Sequence, residues 1–192
     1  MTDLPPKAEL LRAARARRGA WGPRPDDVTP EPAGEGEESV WDYPRPPQIR
    51  RAPAPARVVF AGETIAQSAS AVRVVETAGA PVYYFPPADV VGERLRITGG
   101  VSVCEWKGAA VYYDVVVGAE VAEKAAFAYP DPFDDPDCDF SAIAGWLGFY
   151  PGKVEAYVGE ERATPQPGGI YAGLVTKAIK GPIKGGPGTS HW

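Results

Sequence analysis

Residues 101–117 read VSVCEWKGAAVYYDVVV, and this stretch decides the fold class. Two runs rich in Val and Tyr, 101–106 and 110–117, are joined at Lys107-Gly108, which predicts a β-hairpin. Along an extended first strand, Cys104 and Trp106 point to one face while Glu105 and Lys107 point to the other.

Outward from this hairpin the pattern stays one of short strands. Upstream, 57–61 and 64–67 flank Gly62-Glu63 as a second hairpin, and 72–76 follows with β-branched enrichment. Ala80-Pro81 then opens a strand at 82–85. The aromatic run ends at Pro86-Pro87, Asp89 is placed in the first turn of a helical stretch reaching Leu95, and Gly99-Gly100 is read as a break. Downstream, 125–132 predicts a short strand, 131–139 (DPFDDPDCD) a solvated acidic loop, and 154–159 a strand followed by a turn at Glu160-Glu161. Residues 140–150 (FSAIAGWLGFY) are apolar throughout, so a buried strand and a short buried helix both remain open. The expectation is an all-β, mainly antiparallel fold with one or two short helices.

A chain of 192 residues with 44% hydrophobic content has room for one ordinary domain plus tails. Residues 1–38 are expected to be a disordered or weakly helical tail, with helix propensity confined to 8–18. Residues 39–56 read as an extended Pro-rich arm held to the domain by Trp41 and Tyr43, 57–181 as the β-rich domain, and 182–192 as a Gly/Pro-rich tail. The net charge of -5 argues against a general phosphate-backbone binder, so nucleic acid is not an expected partner. No window has the uncharged apolar length of a membrane span, and the N-terminus lacks the apolar run of a signal peptide. The expected location is the cytoplasm, with Cys104 and Cys138 as free thiols. His191, the lone histidine, is read as part of a disordered end. That reading removes Ser-His-Asp and Cys-His catalysis and leaves too few ligands for zinc, so no metal or cofactor is expected.

Several motifs resemble a known bacterial family. They are WDYPRPP (41–47), FAGETIA (60–66), PVYYFPP (81–87) with Asp89, Cys104 through Gly108, Tyr129-Pro130, FYP (149–151), TPQPGG (164–169) and GPIKGGPGT (181–189). Together they are similar to the family known as domain of unknown function 427, also filed under a nucleotidyltransferase label. The resemblance implies a small tent-like fold, in which antiparallel sheets lean together around a groove. Two departures stand out. The family's His shortly before PVYYFP is absent from Glu76-Thr77-Ala78-Gly79-Ala80, and its Cys-Pro-Trp-Lys-Gly reads Cys104-Glu105-Trp106-Lys107-Gly108 here.

The function read from these residues is small-molecule binding in a groove lined by Tyr83, Phe85, Trp106 and Tyr129, with Asp89, Lys107 and Glu76 as polar contacts. An enzyme is the alternative, either thiol-dependent through Cys104 or a nucleotidyltransferase. Cys104 itself has two readings, a nucleophile activated by a nearby cation or a core residue packed beside Trp106. For nucleotidyl transfer, the carboxylate candidates are Asp135, Asp137 and Asp139, in a proline-broken loop without sheet-like flanks.

Overall fold

In a computed structural model of the chain, residues 5–18, 22–189 and 191–192 are described. Strands take 43% of the described residues, which hold one α-helix, and the class is mainly β. The strands of the two larger sheets are Gln48–Arg51 (β1), Ala56–Phe60 (β2), Glu63–Ser68 (β3), Val72–Glu76 (β4), Gly79–Phe85 (β5) and Leu95–Cys104 (β6). Gly108–Val117 (β7), Glu120–Ala128 (β8), Leu147–Phe149 (β9), Glu155–Val158 (β10) and Glu161–Arg162 (β11) complete them. A seven-stranded antiparallel sheet runs β1-β4-β5-β9-β8-β7-β6, and a four-stranded one runs β11-β10-β2-β3.

Both faces of the large sheet are covered. One face packs on the small sheet, where Val58, Ile65 and Ala156 meet Tyr83, Phe85, Val115 and Phe149. Phe85 and Phe149 touch edge to face with ring centroids 5.6 Å apart, a favoured aromatic geometry. On the opposite face Tyr84, Phe127 and Tyr129 pack with Phe140, Ile143 and Cys138 from the connection between β8 and β9. Central strand β5 is consequently buried along almost its whole length, so its sequence shows no apolar-polar alternation.

The decisive hairpin is β6–β7, with Cys104 paired to Gly108 across residues 105–107. Gly108 sits at φ 96°, a left-handed conformation costly for residues with a Cβ. The strand extends back to Leu95, so Gly99-Gly100 is not a break. It forms a bulge inside β6, where the register shifts between Thr98 and Val101. Nor do residues 89–95 form a helix. They hold two short 3₁₀ turns, Pro87–Asp89 and Gly92–Arg94, before β6 begins. The β2–β3 turn is Ala61-Gly62, both at positive φ, one residue earlier than the sequence suggested. Strand β8 starts at Glu120, well before residue 125, because its solvent-facing Glu120, Glu123 and Lys124 hide the strand signal. The ambiguous stretch 140–150 divides into a 3₁₀ turn, Ser141–Ile143, and β9. Glycine is needed at 148, where a Cβ would lie 2.5 Å from the Phe127 ring.

The terminal segments pack onto the sheets. Lys7–Arg18 form helix α1, and Ala14 is buried beneath it. Arg15 and Arg18 grip Asp135 at 3.0 and 2.6 Å. The acidic loop is therefore not simply solvated: Asp135 is buried in a tight antiparallel pair, Asp134–Asp135 with Cys138–Asp139. Farther along, Glu31 N–H donates to Gly181 O at 2.7 Å, and Glu38–Ser39 pairs in parallel with Ile179–Lys180. The expected anchors hold the arm: Tyr43 packs with Val40 and Val75, and Trp41 Nε1 donates to Pro182 O at 2.8 Å. Trp192 lies edge-on to Trp41 with centroids 5.5 Å apart, and the His191 ring packs against Trp192.

Hydrogen bonds from Arg15, opposed by burial and reinforced by Arg18 and the Asp137 N–H, hold the Asp135 carboxyl well below the usual carboxylate range. A depressed folded-state pKa adds stability above the unfolded value of about 3.9, and that stability is lost as pH falls through the folded value. Asp135→Asn is expected to lower the thermal midpoint by several degrees at pH 7. The gap from the parent should narrow steadily in melts taken below about pH 4. Equal midpoints at pH 7 would show that the docking of α1 adds no stability.

Candidate functional site

The cluster on the outer face of the large sheet opens into a cavity of about 340 Å³. Each wall follows from strand geometry. Alternation along β5 sends Tyr84 to this face and Tyr83 and Phe85 to the other. Strand β8 supplies Phe127, with Tyr129 just beyond its end, and β7 supplies Ala110 and Tyr112. The three-residue turn between β6 and β7 contributes Trp106 and Lys107, while Glu76 comes from the end of β4. Ile170, Tyr171, Ala172 and Lys184 complete the lining from the C-terminal segment.

The aromatic walls form a contiguous network. Tyr84 and Phe127 meet edge to face at 5.9 Å, as do Phe127 and Tyr129 at 6.0 Å. Burial pushes the Tyr84 and Tyr129 phenols above their ordinary values, so both are neutral near pH 7. The Trp106 indole N–H is buried and has no hydrogen-bond partner among the described residues. Arg18 of α1 lies 4.8 Å from the Trp106 ring centroid and donates to Glu105 O at 2.8 Å, bracing the turn from outside.

Two lysines border the cavity in different settings. Lys184 Nζ is 3.3 Å from the Glu76 carboxylate, whose Oε1 also lies 3.6 Å from Arg45 Nε. Lys107 is buried, with Nζ 5.8 Å from the Tyr129 centroid and 5.5 Å from that of Phe140. Burial by itself disfavours its charge, but the Cys104 sulfur, the Tyr84 phenol and the Glu76 carboxylate outweigh burial and raise its pKa. Lys107 remains an ammonium at neutral pH.

Of the residues expected from the sequence, the fold brings Glu76, Cys104, Trp106, Lys107 and Tyr129 to one cavity. Tyr83 and Phe85 are not in it, because they face the inter-sheet core; the groove face of β5 carries Tyr84 instead. Asp89 sits in the 3₁₀ turn after β5, away from the lining. Alternation put Lys107 opposite Cys104, but the turn closed by Gly108 brings both residues to the cavity lining. Tyr112, Phe127, Tyr150, Tyr171 and Lys184 went unselected. Tyr112 carried a legible signal as part of the strongest hairpin, whereas Tyr171 and Lys184 arrive from a Gly/Pro-rich segment with no periodicity.

Two of the three carboxylates that nucleotidyl transfer would call on are engaged elsewhere. Asp135 is held by two arginines, and Asp139 accepts from Ser141 N–H at 2.8 Å. Among the described residues no group of three or more His, Cys, Asp or Glu side chains could hold a metal ion. No helix among them is long and apolar enough to cross a membrane.

An antiparallel two-sheet protein with an aromatic cavity on the outer face of its larger sheet is the class that fold and site define. The chain belongs to the family described as Domain of unknown function (DUF427), whose model matches residues 48–160. No curated protein matches the chain by sequence.

The two thiols differ in setting. Cys138 is buried, and burial pushes its thiol up to about 11 against the opposing pull of Arg18 and Lys107. Cys104 is half-buried at the cavity wall rather than sealed in the core. Iodoacetamide is therefore expected to modify Cys104 well before Cys138 in native protein, read by peptide mapping over time. Equal labelling of the two, or Cys138 first, would contradict this arrangement.

Proposed function

We propose that this protein is a small-molecule-binding module whose ligand occupies the cavity between Tyr84, Tyr129, Trp106 and Lys107. The observation that carries this reading is the buried Trp106 N–H, without a partner among the described residues, on the wall of an aromatic cavity. Leaving such a donor unsatisfied costs about 1–3 kcal/mol, a cost that a ligand acceptor relieves. The volume of about 340 Å³ falls within the range of small-molecule sites, and apolar walls with a few convergent polar groups are their usual construction.

A thiol-dependent catalyst is the second reading, supported by the presence of Cys104 and Lys107 in the same cavity lining. The lone His191 is not part of the lining, so the proton acceptor for that chemistry would have to be a carboxylate of the wall, Glu76 or Glu105.

Trp106→Phe keeps an aromatic ring and removes only the N–H and part of the ring system. In a thermal-shift screen of small organic compounds, the parent protein should give stabilising hits. The variant should lose most of each shift, while its own ligand-free midpoint stays close to the parent's because the deleted donor had no partner. A large fall in the ligand-free midpoint, with the hits unchanged, would assign Trp106 to packing alone. A screen without hits would remove the binding reading.

A further inference from the structure

Resting on the reading of the cavity as a ligand site, we infer that its ligand is a monoanionic organic acid, with its carboxylate on Lys107 and a planar unsaturated body against Tyr84, Phe127 and Tyr129. The charge distribution of the walls carries this. Of the two carboxylates in the lining, Glu76 already bridges Lys184 and Arg45, and Glu105 is not at ion-pair distance from Lys107. Lys107 is as buried as Lys184 but has no carboxylate at ion-pair distance among the described residues. The groups nearest it are a thiol, a phenol and two ring faces, none of them a carboxylate. An anion entering the cavity would complete the pair.

Count and chemistry narrow the class. One ammonium without a carboxylate calls for one negative charge, whereas a phosphate monoester would bring nearly two near neutral pH. The Trp106 N–H, next along the turn, is a donor, as a carboxylate or its neighbouring carbonyl requires. Opposite the turn, the edge-to-face contacts of Tyr84, Phe127 and Tyr129 present ring faces and edges rather than further charge. That surface suits an aromatic or conjugated body.

The test uses the full-length chain and a panel of aromatic and cinnamic-type acids, each matched with its primary amide and with the phosphonate of the same body, titrated by calorimetry. The parent should bind its best acids at least tenfold more tightly than their amides and more tightly than the phosphonates. Lys107→Met should bring the acid-to-amide ratio close to one, with acid affinity falling far more than amide affinity, and Lys107→Arg should restore part of the ratio. Should Lys107→Met fail to fold, reductive methylation of the parent gives a second readout: saturating acid should protect Lys107, and the matched amide should not. Acids and amides binding alike would overturn the inference while leaving a ligand site in place. Tighter binding of phosphonates would replace the monoanion with a dianion. Absence of binding by acids, amides, phosphonates and the neutral compounds of the thermal screen alike would overturn both this inference and the reading beneath it.

Discussion

The structure depends on one constraint, that the central strands of the large sheet must be buried on both faces. Strand β5 lies between β4 and β9, with the small sheet beneath it and the β8–β9 connection above. A strand in that position needs large apolar side chains at successive positions, and Tyr83, Tyr84 and Phe85 provide them. Burial of that amount of aromatic surface holds the two sheets together. It also divides three adjacent residues between two tasks. Tyr83 and Phe85 join the sheets, while Tyr84 forms the floor of the cavity.

This division explains what the sequence disclosed and what it withheld. Period-two patterning located most of the large-sheet strands, and the 72–76 run matches β4 residue for residue. Tyr83 and Phe85 share a face of β5, but two-sided burial removes the polar-apolar contrast that would tell which face is the groove. The sharing of one cavity by Cys104 and Lys107 was hidden for a related reason. Strand alternation separates them, and the turn closed by the left-handed Gly108 brings both to the lining. Gly99-Gly100 misled in the opposite sense, because paired glycines mark a chain break and a β-bulge with equal force. The carboxylates of 131–139 looked like a solvated cluster, since nothing local to that loop reveals that arginines more than a hundred residues earlier bury one of them.

Electrostatics follow the packing. Glu38 meets Arg73 at 2.7 Å and Asp114 meets Arg96 at 2.9 Å, ordinary pairs that fasten strand ends and edges. The two arginines on Asp135 differ in kind, because they join an N-terminal helix to a loop that shares the aromatic cluster with the cavity floor. Arg18 serves twice, gripping that carboxylate and covering the outer face of Trp106.

The family match stops at residue 160 and begins at 48, yet the cavity is closed by Tyr171 and Lys184 beyond one limit and braced by Arg18 before the other. The barrel of the lock and its wards thus come from different parts of the chain. Exchanging the flanking segments would reshape the mouth of the chamber while the sheet that forms its floor stays as it is, so the two can vary on separate stretches of sequence.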